Sequence, residues 1–304
     1  MSRHPGASPA RAPAAIQIPA IQAGLKQSAN PASTLNPRQF RKIANIIEAQ
    51  TGIKMPDSKL HLIEGRLWRR MRDGGFASLN DYCEHIASGL ADADTMTDFI
   101  NAVTTNKTDF FREPAHFDYL SEEILPAFHA GGHSRMRCWS AAASTGMEAY
   151  TLAMVLDDFR ERRGDFDYRI LATDIDTDVL EQARKGVYPA ASLDPVPQGL
   201  RRRYVRMANN PARKEGRIVP ELRSRISFAR LNLMDDAYPV GDPMDVIFAR
   251  NVLIYFDKLT QAKVITRLCD RLHVGGHLIL GHSESIAGLD LPLKTVAHTV
   301  FRKL

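Results

Sequence analysis

Four segments of the sequence end an apolar run in polar residues, and each could deliver chemistry from a strand end to one shared crevice. The first passes from Arg137 and Trp139 through Ala141, Ala142, Ala143, Ser144, Thr145 and Gly146 into Glu148 and Tyr150. The second closes Ile170, Leu171, Ala172 and Thr173 with Asp174, the third carries Asn232 and Leu233, and the fourth carries Arg250 and Asn251 before Ile254, Tyr255 and Phe256. Small residues in the first turn let backbone approach a ligand, and the free amides of the helix start behind it complete a crevice at the carboxyl end of a strand. A carboxylate at the second strand end can accept two hydrogen bonds from ribose hydroxyls. Singly each is ordinary, since Asp174 would also serve as a helix cap and Asn232 or Asn251 as a turn residue. Four in this order point to one site.

The elements that must hold these residues follow from patterning. After about residue 114 apolar runs alternate with helical patterns, the mark of a parallel sheet with crossovers. Strands are predicted at 136–140, 168–173, 226–229, 246–249 and 277–280, with a last one near 295–302. From about 190 to 227 the alternation breaks at Pro195, Pro197, Asn209, Asn210, Pro211 and Gly216, which predicts a small antiparallel β insert. Between Leu200 and Arg230 ten Arg or Lys face only Glu215 and Glu221, a local charge of +8 that suits an acidic partner.

Ahead of this lies a helical part, 35–105. Asn36 and Pro37 start a helix with Phe40, Ile43, Ile46 and Ile47 on one face, ending near Gly52. A second, opening near Asp57, sets Leu60, Ile63, Leu67 and Met71 on one side and Arg66, Arg69 and Arg72 on the other. Ser78 caps a third with Leu79, Tyr82, Cys83 and Ile86, and Met96, Phe99, Ile100 and Val103 mark a fourth. From Lys54 to Arg72 six basic residues meet two acidic ones, a local charge of +4. Residues 1–34 hold five prolines, nine alanines and no acid, which predicts a disordered tail. Residues 106–118 read as a linker that packs, with Phe110, Phe111 and Pro114.

Composition narrows the class. With 304 residues, 44% hydrophobic and 25% charged, the chain is long enough for a sizeable core. No apolar run approaches the roughly 20 residues that span a bilayer, and no signal-peptide core is present, so a cytoplasmic protein without membrane insertion is expected. Cys83, Cys138 and Cys269 lack C-x-x-C spacing, which argues against a disulfide framework and a zinc site; no metal is expected. One glycine in the first turn, where a dinucleotide fingerprint has three, and the lack of a G-x-x-x-x-G-K-[S/T] run favour S-adenosylmethionine over a nucleotide phosphate.

The chain resembles the CheR family of chemotaxis receptor methyltransferases. The resemblance rests on Asn106-Lys-Thr-Asp-Phe-Phe-Arg112, Trp139-Ser-Ala-Ala-Ala-Ser-Thr-Gly146, Ala172-Thr-Asp-Ile-Asp-Thr-Asp-Val-Leu180 with Gly186-Val-Tyr188, Phe248-Ala-Arg-Asn-Val-Leu-Ile-Tyr-Phe-Asp257, and Gly275-Gly276 leading to Gly281-His-Ser-Glu284. It spans residue 35 to the end. It implies an α/β chain: a small all-helical domain (35–105), then a Rossmann-like methyltransferase domain (106–304) with a mostly parallel sheet and the β insert. It also implies S-adenosylmethionine as cofactor and S-adenosylhomocysteine as product, held by Asn106, Thr108, Arg112, Glu148, Asp174, Asn232, Leu233, Arg250 and Asn251. Arg112 and Tyr255 would lie nearest the transferred methyl group. Arg66, Arg69 and Arg72 would dock the cytoplasmic helices of receptors, and the insert matches the small β-subdomain that in some members of the family takes a receptor's C-terminal peptide by strand addition. The expected protein is a cytoplasmic monomer recruited to membrane receptors.

Glutamate methylation explains why no activated triad is legible, since a carboxylate of pKa about 4.3 is already ionised at neutral pH. His282 and Ser283 are therefore read as structural. Two alternatives accompany this reading. A nucleic-acid methyltransferase would suit the basic insert, but the Asn/Asp-Pro-Pro-Tyr/Phe turn of base amino-methylating enzymes has no counterpart in Arg250-Asn-Val-Leu-Ile-Tyr255, and no nucleic acid is expected as partner. A cofactor-binding module of weak or absent turnover would have Met147 as its support, because family members commonly carry an acid there and a proline where this chain has Ala149.

Overall fold

The structure is a computed structural model that describes Met1, residues 34–210 and residues 212–304. The tail expected over 1–34 therefore falls, but for its two ends, outside the described residues, as does Pro211 of the insert.

Caps and apolar spacing build the helical part. The Asn36 side chain accepts the Gln39 amide, Pro37 takes the first helical position, and α1 (Pro37–Thr51) buries Phe40, Ile43 and Ile47. Gly52 ends it at φ +72°, where an added Cβ would meet Met234 Sδ at 2.6 Å, because the end of α1 packs on the second part of the chain. After a 3-10 turn (Asp57–Lys59), α2 (Leu60–Asp73) buries Ile63, Leu67 and Met71. Ser78 caps α3 (Leu79–Ala87), Asp92 caps α4 (Ala93–Val103), and Phe99, Ile100 and Val103 complete the same core.

The chain then crosses 104–114 with Phe110 buried and enters one bent helix: α5 (Ala115–Tyr119), a π-type turn (Leu120–Ile124) and α6 (Leu125–Ala130). Then come β1 (Arg135–Ala141), α7 (Met147–Arg163), β2 (Asp167–Asp174) and α8 (Thr177–Lys185). A separate small sheet follows, from β3 (Val187–Pro189), α9 (Gln198–Tyr204), β4 (Val205–Met207), β5 (Glu215–Ile218) and α10 (Pro220–Arg223), with β5 central and antiparallel to both neighbours. The main sheet resumes with β6 (Ile226–Arg230), β7 (Met244–Ala249), α11 (Lys258–Asp270), β8 (Leu272–Leu280), β9 (Leu293–Ala297) and β10 (Val300–Lys303).

The seven strands lie in the order β6-β2-β1-β7-β8-β10-β9; the first five are parallel, and β10 runs antiparallel to β8 and β9. Connections leave β1 in one direction toward β2 and β6, then return to the other side for β7 and β8. The switch point therefore falls between β1 and β7, and it opens a crevice at their carboxyl ends. Helix α7 is buried on nearly every side in its first three turns, since β2, α10 and the π-type turn all pack on it.

The structure corrects three expectations. The single strand near 295–302 is a hairpin of β9 and β10, turning at Thr299 with φ +52°, a left-handed position that carries no glycine to announce it. Strand β8 begins at Leu272, upstream of Gly275 and Gly276, because Gly275 at φ +82° bends the strand at a register shift without ending it. The small sheet recruits Val187–Pro189, ahead of the expected start near 190, and two short helices fill much of the insert.

Candidate functional site

A cleft lies over the carboxyl ends of β1, β2, β6 and β7, closed from above by the linker and the end of α1. All ten residues predicted for it line it: Asn106, Thr108, Arg112, Glu148, Asp174, Asn232, Leu233, Arg250, Asn251 and Tyr255.

The floor is the turn after β1. Ala142, Ser144 and Gly146 all adopt positive φ, and a Cβ on Gly146 would lie 2.7 Å from the Ala183 methyl, so only glycine fits there. The turn is tied down on two sides. The Ser144 amide donates to Asp174 Oδ2 at 2.8 Å, and the Ser144 hydroxyl donates to the Asn106 carbonyl at 2.9 Å. Tyr188, in the first strand of the insert, donates its hydroxyl to the Thr145 carbonyl at 2.6 Å.

Asp174 is 7% exposed and makes no ion pair among the described residues. Its other oxygen accepts the Asp176 amide at 3.0 Å, so each oxygen keeps acceptor capacity. Burial pushes its carboxyl up to about 6, against the pull of the two amides. Two residues on, Asp176 uses Oδ1 to cap α8 and Oδ2 to accept Thr104 Oγ1 at 2.8 Å and Asn106 Nδ2 at 2.6 Å. Asn101 and Thr177 exchange a further pair of bonds, so the linker and α4 are latched to the start of α8.

Glu148 and Arg250 meet in the cleft wall. Arg250 Nε donates to Glu148 Oε2 at 2.8 Å, Ser140 Oγ donates to Glu148 Oε1 at 2.7 Å, and Arg250 Nη1 donates to the Arg112 carbonyl at 2.8 Å. The guanidinium also stacks near Phe117 and Phe248, at 5.0 and 5.6 Å from their ring centres. His116 accepts from Arg250 at Nδ1 over 3.0 Å and donates from Nε2 to Thr299 Oγ1 at 2.9 Å. Burial and the Arg250 charge hold its imidazole near 4, so it is neutral at pH 7.

Glu113 gives Oε1 to the Asn251 amide group at 3.0 Å and Oε2 to the His282 N–H at 3.2 Å. Burial alone would raise its carboxyl, but the Asn251 bond and the nearby Arg250, His282 and His116 outweigh it and hold it low. Glu113, His116 and His282 bring ligand atoms within 4.8 Å of one another. Both His116 nitrogens are already engaged, one by a cation, which makes the trio a poor metal site.

Arg112 donates to the Lys107 carbonyl at 3.0 Å, and Tyr255 sits on a 3-10 turn (Leu253–Tyr255) with Lys59 Nζ 5.9 Å from its ring centre. Asn232 reaches back to α1, donating to the Gln50 carbonyl at 2.7 Å. The three arginines of α2 expected to dock substrate, Arg66, Arg69 and Arg72, separate. Arg66 is spent on the end of α4, donating to the carbonyls of Val103 at 2.7 Å and Thr104 at 2.8 Å and to Thr105 Oγ1. Arg69 is exposed beside Asp73, and Arg72 lies over the half-exposed Trp68. Met147 and Ala149, where the sequence departs from the family pattern, are packed into the apolar core, and neither lines the cleft.

Sequence reasoning missed Glu113, His116 and Asp176, which bond to residues of the cleft, as well as Thr51 and Ile53, which the end of α1 and the residues after it bring to the cleft. Asp176 was legible as a second acid in the run after β2. Glu113 followed the Arg112 motif directly, and only the fold reveals its partner Asn251.

A mostly parallel seven-stranded sheet ending in an antiparallel hairpin, a one-glycine turn after β1 and a carboxylate at the end of β2 define a class I S-adenosylmethionine-dependent methyltransferase. The residues fit that cofactor: Asp174 has free acceptor capacity for a ribose diol, and apolar Ile175, Leu231 and Leu233 line the cleft beside it. The chain belongs to the CheR methyltransferase family, whose S-adenosylmethionine-binding domain matches residues 106–302 and whose all-alpha domain matches residues 38–104. It is 37% identical over 264 residues to chemotaxis protein methyltransferase 2 of Pseudomonas aeruginosa, covering 86% of this chain and 91% of that protein. The chemotaxis protein methyltransferase of Escherichia coli is 37% identical over 286 residues, 93% of this chain and 97% of that protein. That of Borreliella burgdorferi is 34% identical over 255 residues, 82% and 89% respectively. No helix among the described residues is long and apolar enough to cross a membrane.

Proposed function

We propose that this protein methylates glutamate side chains on the cytoplasmic helices of chemotaxis receptors, forming glutamyl methyl esters and S-adenosylhomocysteine for sensory adaptation. The observation that carries the reading is the convergence on one cleft of the ten residues to which the resemblance gives a role, in a chain whose relatives are named chemotaxis protein methyltransferases. Bound S-adenosylmethionine supplies a methyl group activated by its sulfonium. Asp174 would hold the ribose, with Asn232 and Leu233 completing that end, and Asn106, Thr108 and Arg112 would close over it from the linker. Glu148 and Arg250, paired with each other, would shape the wall beside the reacting end. Arg112 and Tyr255 would orient the substrate carboxylate, which needs no base because it is already ionised. Positioning of this kind supplies roughly 7–11 kcal/mol of a barrier when geometry is right.

Substrate recognition would use exposed cations. Arg69 and Arg72, the latter lying over Trp68, form a basic face on α2 suited to acidic receptor helices. The small sheet leaves β4 as an edge strand in the most basic stretch of the chain, which suits a receptor's C-terminal peptide adding as a further strand. The protein would work as a cytoplasmic monomer brought to membranes by its substrate. Incubation with radiolabelled S-adenosylmethionine and membranes bearing a cognate receptor, followed by release of base-labile methanol, tests the reading. Labelled methanol is the expected result; cofactor binding with no ester on that receptor would overturn it and leave a non-catalytic binding module.

A further inference from the structure

The geometry points to Glu284 as a positioning residue for methyl transfer, acting through the turn that carries Asn251 and Tyr255. This rests on the reading that those two residues serve the cleft. Glu284 is 6% exposed and makes no ion pair among the described residues. Its carboxylate is instead filled by backbone: Oε2 accepts the amides of Gly281 at 2.6 Å and Asn251 at 2.9 Å, and Oε1 accepts that of Leu253 at 2.8 Å. A buried carboxylate is costly unless its oxygens are fully bonded, and here every bond goes to one turn or to the glycine facing it.

The turn is unusual in its own right. Asn251 holds φ +58°, a left-handed conformation that costs a residue with a side chain, and it is immediately followed by the 3-10 turn of Tyr255. Anchoring the amides on both sides of Val252 offsets that cost and fixes where the two side chains emerge. Gly281 makes the approach possible. A Cβ there would fall 2.6 Å from Asn251 Nδ2, 2.9 Å from Asn251 N and 2.9 Å from Glu284 Oε2. The motif Gly281-His-Ser-Glu284 thereby acquires a physical role: glycine admits the turn and glutamate grips it. Asn251 in turn passes its side chain to Glu113, next to Arg112, so the grip extends to the linker that closes the cleft.

The test compares Glu284→Gln, which keeps shape but turns one acceptor into a donor facing an N–H, with Gly281→Ala, which disturbs the same contact from the other side. Ser285→Ala is the neighbouring control. Amide exchange of the free protein, S-adenosylhomocysteine affinity by calorimetry and receptor methylation are measured for each. Both variants are expected to lose protection at residues 251–253 while the helical part keeps it, and to bind S-adenosylhomocysteine about tenfold more weakly. Turnover should fall roughly 10²-fold, the scale of a displacement of about 1 Å at a reacting centre. Local loss of protection with unchanged affinity and turnover overturns the proposal, as does loss of protection throughout the fold. If the wild-type protein shows no turnover on receptors, the proposed function fails while the exchange and affinity measurements still decide the role of Glu284.

Discussion

Arg250 and Glu148, 102 positions apart in sequence, form a buried ion pair in the cleft wall, Nε to Oε2 at 2.8 Å, that joins the end of β7 to the first turn of α7. Each was expected to face the cofactor on its own account. Their pairing means that each sets the other's orientation before any ligand arrives.

Removing one partner strands the other. Arg250→Met would leave the Glu148 carboxylate buried with only the Ser140 hydroxyl, and is expected to cost about 3–5 kcal/mol of unfolding free energy. The double variant Arg250→Met, Glu148→Gln should recover a large part of that loss. Urea unfolding of the four proteins checks it, and additive losses would show that the pair is not coupled.

Asp174 makes the site pH-dependent in two opposite senses. Its folded carboxyl sits near 6 against an ordinary value of 3.8, so between those values the folded protein holds a proton that the unfolded chain has released. Stability of the free protein should therefore decline as pH rises through that window and level off above it. The ionised carboxylate is the form that accepts ribose hydroxyls, so S-adenosylhomocysteine affinity should instead fall as pH drops below about 6, approaching tenfold per unit. Asp174→Asn is expected to weaken binding and flatten this dependence, which calorimetry across the window measures.

The legible part of the molecule was whatever local chemistry writes into consecutive residues. Asn36 with Pro37 and Ser78 announced helix starts, and apolar runs ending in Asp174, Asn232 and Arg250 announced strand ends, because caps and alternation act over a few positions. Partners distant in sequence left no such trace. Nothing near Glu113 indicates Asn251, nothing near Arg66 indicates the carbonyls of Val103 and Thr104, and the turn at Thr299 lacks the glycine that would have divided β9 from β10.

The latch between linker and α8 offers a graded test. Asp176→Ala removes both the cap of α8 and the acceptor for Thr104 and Asn106; loss of the cap alone costs about 0.5–2 kcal/mol. Thr104→Val removes the bond to Asp176 together with the contacts its hydroxyl makes with the Asn101 carbonyl and Asn106 Nδ2, and leaves the cap intact, at about 1–3 kcal/mol. Both should weaken S-adenosylhomocysteine binding, Asp176→Ala the more, since Asn106 and the linker behind it lose their hold. Thermal unfolding with and without ligand separates the two contributions.

The basic face of α2 divides along lines the sequence did not show. Arg69 and Arg72 are outward, so replacing both by Ala should slow receptor methylation several-fold, most strongly at low salt, and leave S-adenosylhomocysteine affinity unchanged. Arg66→Ala should behave differently. Its guanidinium satisfies two carbonyls at the end of α4 and braces the linker, so its loss leaves those groups to water and is expected to cost about 1–3 kcal/mol of stability together with some cofactor affinity. Methylation rates at two salt concentrations, beside unfolding curves, distinguish the roles; an Arg66→Ala protein of unchanged stability that slows only receptor methylation would return Arg66 to the docking face.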